Sequence, residues 1–164
     1  MANLKLDGID KTIIKILQEN CKITNLELSK RIGLSPAPTL ERVKKLESSG
    51  VLASYHAHVD RNKIGLSVQT YLLVEIAWHI DDALDNFLAK IQNIDEVVEC
   101  YIITGEADAL MKIICKDIPT YENLLFKTLS KIEEIERLKT LMTLSQVKAT
   151  HVLPYDYDSS DDEE

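Results

Sequence analysis

Apolar positions first recur with helical spacing. Ile9, Ile13, Ile16 and Leu17 follow an i, i+4, i+7, i+8 stripe behind Asp7, an N-cap residue, with Leu6 ahead of it, and predict a helix. The stretch TNLELSKRIG predicts a second: Thr24 and Glu27 form a T-x-x-E capping box, Leu28 and Ile32 share a face, and Gly33 suits a left-handed C-terminus. A third begins one residue later, with Ser35 as N-cap and Pro36 and Pro38 in the first turn, where a missing N–H costs little. Leu40, Val43 and Leu46 give it an apolar face, Ser35, Thr39, Arg42 and Lys45 a polar one, and Gly50 closes it. Two capped helices across a glycine turn form the helix-turn-helix pattern.

The periodicity then changes from 3.6 to 2. VLASYHAHVD reads as a linker strand or small wing, and RNKIG (Arg61 to Gly65) as a hinge. SVQTYLLVEIAW is a strand, and DDALDNFLAKI a helix burying Ala83, Leu84, Phe87, Leu88 and Ile91. VVECYIIT and ALMKIIC are strands joined by the turn GEAD. Pro119 opens a helix whose inner side is Tyr121, Leu124, Leu125, Thr128, Leu129 and Ile132, and IERLKTLMTLSQVKATHV is a fourth strand. The order β-α-β-β-α-β is ferredoxin-like, with both helices on one face of an antiparallel sheet. The fold class is α+β: an N-terminal three-helix, winged-helix-like helix-turn-helix domain (1–50), a strand linker (51–65) and a ferredoxin-like domain (66–150). The tail, 151–164, is acidic and too poor in apolar groups to fold, so it is expected to be disordered. The sheet would leave one apolar face bare, which predicts a homodimer through 66–150 and a roughly palindromic DNA target.

Charge sharpens the picture. The chain carries a net −8, yet between Lys22 and Lys45 six basic residues face two acidic ones. Residues 1–60 are net positive, whereas Asp156 to Glu164 hold six carboxylates and no cation. A cationic island in an acidic chain marks a site for a polyanion. The expected DNA-binding residues are Lys30 and Arg31 near the turn, Ser35, Ala37, Pro38 and Thr39 at the start of the recognition helix, and Arg42, Lys44 and Lys45. The first group on that helix would meet base edges, Arg42 a guanine or a phosphate, and the lysines phosphates.

Other chemistry is sparse. Three cysteines without C-x-x-C spacing argue against disulfides or a zinc cluster and fit a reducing compartment, with Cys21, Cys100 and Cys115 as core fillers. His56 and His58 lie two apart on a strand face with no third metal ligand in view. Glu133, Glu134 and Glu136 read as an exposed helix end. No P-loop, G-x-S-x-G or H-E-x-x-H occurs, so catalytic and metal residues are expected to be absent and the protein not to be an enzyme. No signal-like N-terminus or span-length apolar run is present, so a cytoplasmic protein with no membrane partner is expected.

NLELSKRIGLSPAPTLERVKKLE closely resembles the DNA-binding segment of the Lrp/AsnC (feast/famine) family of bacterial and archaeal regulators, and LDGIDKTIIKILQEN resembles that family's first helix. VVECYIITGEADALMKI is similar to its effector-domain hairpin, at Val97, Glu99, Cys100, Thr104, Gly105 and Asp108, with Ala109 where many relatives carry an aromatic residue. The resemblance implies a nucleoid-associated regulator of promoter DNA with no cofactor. It further implies an amino-acid effector (leucine or another small amino acid) at Thr104, Gly105, Glu106 and Asp108, and assembly of dimers into tetramers or octamers. Read from its residues alone, the same loop is a hairpin turn. An effector-independent, architectural DNA-wrapping protein of the same fold is the alternative; a ferredoxin-like sensor or enzyme is a more distant one.

Overall fold

The computed structural model describes residues 5–155 and 157. They form two compact units: one runs through His58 and takes in the described residues from Lys148 onward, the other is Val59–Val147.

The first unit holds three helices, α1 (Gly8–Glu19), α2 (Asn25–Ile32) and α3 (Pro36–Ser48). Asp7 caps α1 by accepting from the Asp10 N–H at 2.8 Å, and Thr24 caps α2 by accepting from Glu27 N–H at 3.2 Å. The capping box is only half made, because the Glu27 carboxylate turns to Arg31. Gly33, at φ 71°, ends α2 in the left-handed conformation that a side chain would resist. Ile13, Leu17, Leu28 and Leu46 are the buried centre of this unit.

In the second unit β1 (Val68–Ile76), α4 (Ala83–Ile91), β2 (Val97–Ile102), β3 (Ala109–Cys115), α5 (Ile118–Asn123) and β4 (Ile135–Met142) follow in that order. The sheet is antiparallel, ordered β2-β3-β1-β4, with β1 and β3 central. Strand alternation sends Leu72, Val74, Ile76, Met111 and Ile113 to the face covered by Phe87, Ile91, Tyr121, Leu124 and Leu129. The opposite face carries Tyr71, Leu73, Leu110 and Lys112, all half-buried, with Tyr101 and Leu141 exposed. Among the described residues no helix is long and apolar enough to cross a membrane.

Several elements depart from the expectation. Residues 51–60 form no strand, since nothing among the described residues pairs with them in a ladder. The fourth strand stops at Met142 rather than near Val152, because Met142 pairs with Thr70 and β1 begins only two residues before it. The last helix tightens and widens in turn: α5 passes into a π-helical turn (Leu124–Thr128) and a 3-10 turn (Leu129–Lys131). The five-residue step from Leu124 to Leu129 matches the i→i+5 repeat of that turn, and it leaves Thr128 exposed. Glu134 is not on an exposed end; it is 4% exposed and paired with Lys90 at 2.6 Å. Cys21 is exposed rather than a core filler, while Cys115 is buried and Cys100 half-buried. Of the expected tail, Leu153, Tyr155 and Tyr157 contact α1 and His151 meets His58, while Asp156 and residues 158–164 lie outside the described residues.

Candidate functional site

The start of α3 is set by its prolines. A Ser N-cap ordinarily accepts from the N–H of the second or third helical residue, but Pro38 occupies the third position and has no N–H. Only the Ala37 N–H is left for it to cap; Ser35 takes the extended N-cap backbone, makes no side-chain cap bond and is exposed. Asn25 Nδ2 donates to the Pro36 carbonyl at 2.8 Å, which fixes the start of α3 against the start of α2. Ala37, Lys30, Arg31, Lys44 and Lys45 are exposed and Pro38 is half-buried. Arg31 pairs with Glu27 at 2.6 Å on an open helix surface, an arrangement worth only ~0.3–0.5 kcal/mol and readily exchanged for a phosphate.

Two of the expected DNA contacts are placed otherwise. Thr39 is fully buried and its hydroxyl donates to the Ser35 carbonyl at 2.9 Å, so it does not face a groove. Arg42 lies across α1, its guanidinium 2.7 Å from both Asp7 and Asp10. Those two carboxylates raise the Arg42 pKa. Burial pushes the Asp7 carboxyl up, but the Asp10 N–H and the Arg42 guanidinium outweigh it and hold Asp7 below the ordinary aspartate value. Arg42 thus locks α3 to α1.

The hairpin turn between β2 and β3 is the second candidate. Gly105 sits at φ 124°, a backbone that L side chains rarely adopt, so glycine is required there. Thr104, Gly105 and Glu106 are exposed. Asp108 is committed to the fold: its Oδ2 accepts from the Ile76 N–H at 2.7 Å, where the β1–β3 ladder has ended. Ala109 is fully buried among the core residues, so the small side chain there is a matter of packing under the helices.

Beside this turn a cleft of about 540 Å³ is lined by Leu73, Glu75, Glu106, Ala107, Arg137, Leu138 and Lys139. Of the four expected effector residues it takes in Glu106 alone. Glu75, Arg137 and Lys139 were missed, although Glu75 and Arg137 are cross-strand partners of opposite charge, 3.5 Å apart. Two carboxylates, two cations and short apolar walls match a zwitterion with a modest side chain. On the open sheet face Lys112 holds the Glu99 carboxyl below its ordinary value through a 2.8 Å bond, aided by the Tyr101 hydroxyl. Among the described residues no three His, Cys, Asp or Glu side chains are grouped as a metal ion would need.

A helix-turn-helix unit with exposed cations, joined to a ferredoxin-like domain with a charged cleft, defines a ligand-responsive DNA-binding regulator. Family models for a winged helix-turn-helix DNA-binding domain and for the Lrp/AsnC ligand binding domain match residues 6–53 and 69–153. The transcriptional regulator AzlB of Bacillus subtilis is 35% identical over 153 residues, covering 93% of this chain and 98% of the relative. The leucine-responsive regulatory protein of Haemophilus influenzae is 36% identical, covering 92% and 91%. A solved transcriptional regulator of Neisseria meningitidis, complexed with L-Met, superposes with TM-score 0.90 at 33% identity over 93% of this chain and 99% of that one. An AsnC family regulator of Agrobacterium tumefaciens gives TM-score 0.86 at 30% identity, covering 94% and 100%. The chain belongs to the Lrp/AsnC family of transcriptional regulators.

Proposed function

We propose that this regulator binds promoter DNA through Lys30, Arg31, Ser35, Ala37, Pro38, Lys44 and Lys45, with Arg42 and Thr39 holding the helix that presents them. An amino acid in the cleft beside the β2–β3 turn biases that binding. Arg137 and Lys139 would receive its carboxylate, Glu106 its ammonium, and Leu73, Ala107 and Leu138 its side chain. Thr104 and Gly105 shape the turn that carries Glu106, and Asp108 anchors that turn to β1. The observation that carries the reading is the cleft's paired charges, which suit an amino acid's two ends. A leucine-responsive relative and a neighbour complexed with L-Met support the same ligand class.

The open sheet face would join two copies, and larger assemblies of dimers would place several helix-turn-helix units on one roughly palindromic promoter. A cytoplasmic, nucleoid-associated protein is the setting this implies. For an effector to act it must favour one assembly state over another, not merely bind. Calorimetry of the full chain against the common amino acids tests the effector. Heat from one of them, with affinity down on the order of tenfold in Arg137→Ala through loss of a charge-assisted contact, is expected. Heat from none would leave the effector-independent, architectural alternative standing.

A further inference from the structure

The C-terminal stretch has an occupied site on the helix-turn-helix unit. Leu153, Tyr155 and Tyr157 alternate along the chain, and Gln18 of α1 grips the segment with both ends of its amide. Gln18 Oε1 accepts from the Leu153 N–H at 2.9 Å, and Gln18 Nε2 donates to the Tyr157 hydroxyl. That hydroxyl donates onward to the Leu153 carbonyl at 3.1 Å, so the turn is closed on itself as well as on α1. The Tyr155 ring lies 5.7 Å from Lys11 Nζ, within cation–π range, and meets Tyr157 edge-on at 5.3 Å. Lys11 is 1% exposed, which is rare for a lysine on a surface helix. Upstream, His151 Nε2 stands 3.2 Å from His58 Nδ1, tying the segment to the same unit at a second point. Leu6, Ile14 and Val51 complete a pocket of about 380 Å³ with the three C-terminal side chains.

Beyond Tyr157 the sequence continues Asp-Ser-Ser-Asp-Asp-Glu-Glu, five carboxylates in seven residues with no cation. Seven residues span at most ~24 Å, against ~18 Å for the whole of α1. The unit to which they are tied is the basic part of the chain, with Lys30, Arg31, Lys44 and Lys45 exposed on its helices. A tether this short limits how far the carboxylates can stray from the unit, and so raises their effective concentration for any cation within its reach.

We propose that the segment carrying His151, Leu153, Tyr155 and Tyr157 is a docked tether that makes the acidic stretch beyond it an intramolecular competitor of DNA phosphates for the helix-turn-helix cations. The competition is ionic, so it lowers affinity for any duplex, most of all at low salt. The Gln18 grip sets its strength, because release from α1 dilutes the carboxylates around the unit without removing them.

Anisotropy titrations of the full chain against a random-sequence duplex, over a range of salt, test this. Replacing Asp158, Asp161 and Asp162 by Asn and Glu163 and Glu164 by Gln should tighten binding on the order of tenfold at low salt, with the gain shrinking as salt rises. Gln18→Ala, a helix-compatible change whose folding is checked by circular dichroism, should give an intermediate gain with every tail charge in place. Unchanged affinity in the neutralised protein would overturn the competition. A gain there, with none in Gln18→Ala, would overturn the tether. No duplex binding by any of these proteins would overturn the inference together with the DNA-binding assignment on which it rests.

Discussion

Arg42 spends its guanidinium on two carboxylates of unequal standing: the Asp7 side chain is 53% exposed, that of Asp10 3%. Removing the arginine strands Asp10 in the interior without a counter-ion. Arg42→Ala should therefore cost about 2–3 kcal/mol of stability, somewhat below the ~3–5 kcal/mol of a fully buried pair because the guanidinium keeps partial solvent contact. Urea midpoints measure it, and the salt slope of DNA binding should stay where it was. A slope lower by about 0.9 would make Arg42 a phosphate contact instead. Glu134 is a second buried carboxylate held by a cation. The Lys90 ammonium, with the Glu134 backbone N–H, holds its carboxyl below the ordinary value. A lowered folded pKa contributes stability above the unfolded value of ~4.3 that is lost as pH falls through the folded one. Glu134→Gln should accordingly be less stable than the parent at pH 7, with a smaller gap at a pH acid enough to protonate the folded carboxyl. An equal gap at both pH values would mean that the ion pair is not its source. Neither pairing was legible beforehand, since Arg42 and Asp10 lie 32 residues apart, and Lys90 and Glu134 lie 44 apart. Charge spacing along one helix says nothing about partners on another.

At the scale of elements, periodicity identified every helix and all four sheet strands but not every face. Leu40, Val43 and Leu46 step by three, which drifts about 60° per step around a helix, whereas Thr39, Val43 and Leu46 hold one side. The structure buries Thr39 and Leu46 and leaves Leu40 44% exposed, so the recognition helix is turned from the expected face. Alternation overran β4 because a strand stops where its partner runs out, and antiparallel β1 begins only at Val68, opposite the end of β4. The β2–β3 turn was found from Gly105 and its neighbours, but the cleft needs β1 and β4 side by side, a pairing that local sequence does not encode. The open sheet face makes its own prediction. Leu110 sits there half-buried, opposite Leu73 and Tyr101. For the proposed dimer joined through this face, Leu110→Glu should leave the monomer's fold intact by circular dichroism while the parent sediments as a dimer and the variant as a monomer. A dimer that persists unchanged would mean the copies meet elsewhere.

Across the whole molecule, a net charge of −8 conceals a division of labour: cations gather on the helix-turn-helix unit, while carboxylates crowd the far end of the chain. On the proposed reading the exposed lysines of that unit carry the contact with duplex DNA, and salt dependence tests this most directly. Each phosphate neutralised contributes about 0.9 to the slope of log affinity against log salt. Replacing Lys30, Lys44 and Lys45 together by Ala should lower that slope by about 2.7 and weaken binding to all duplexes alike. A slope identical to the parent's, with affinity retained, would show that DNA is held by another surface.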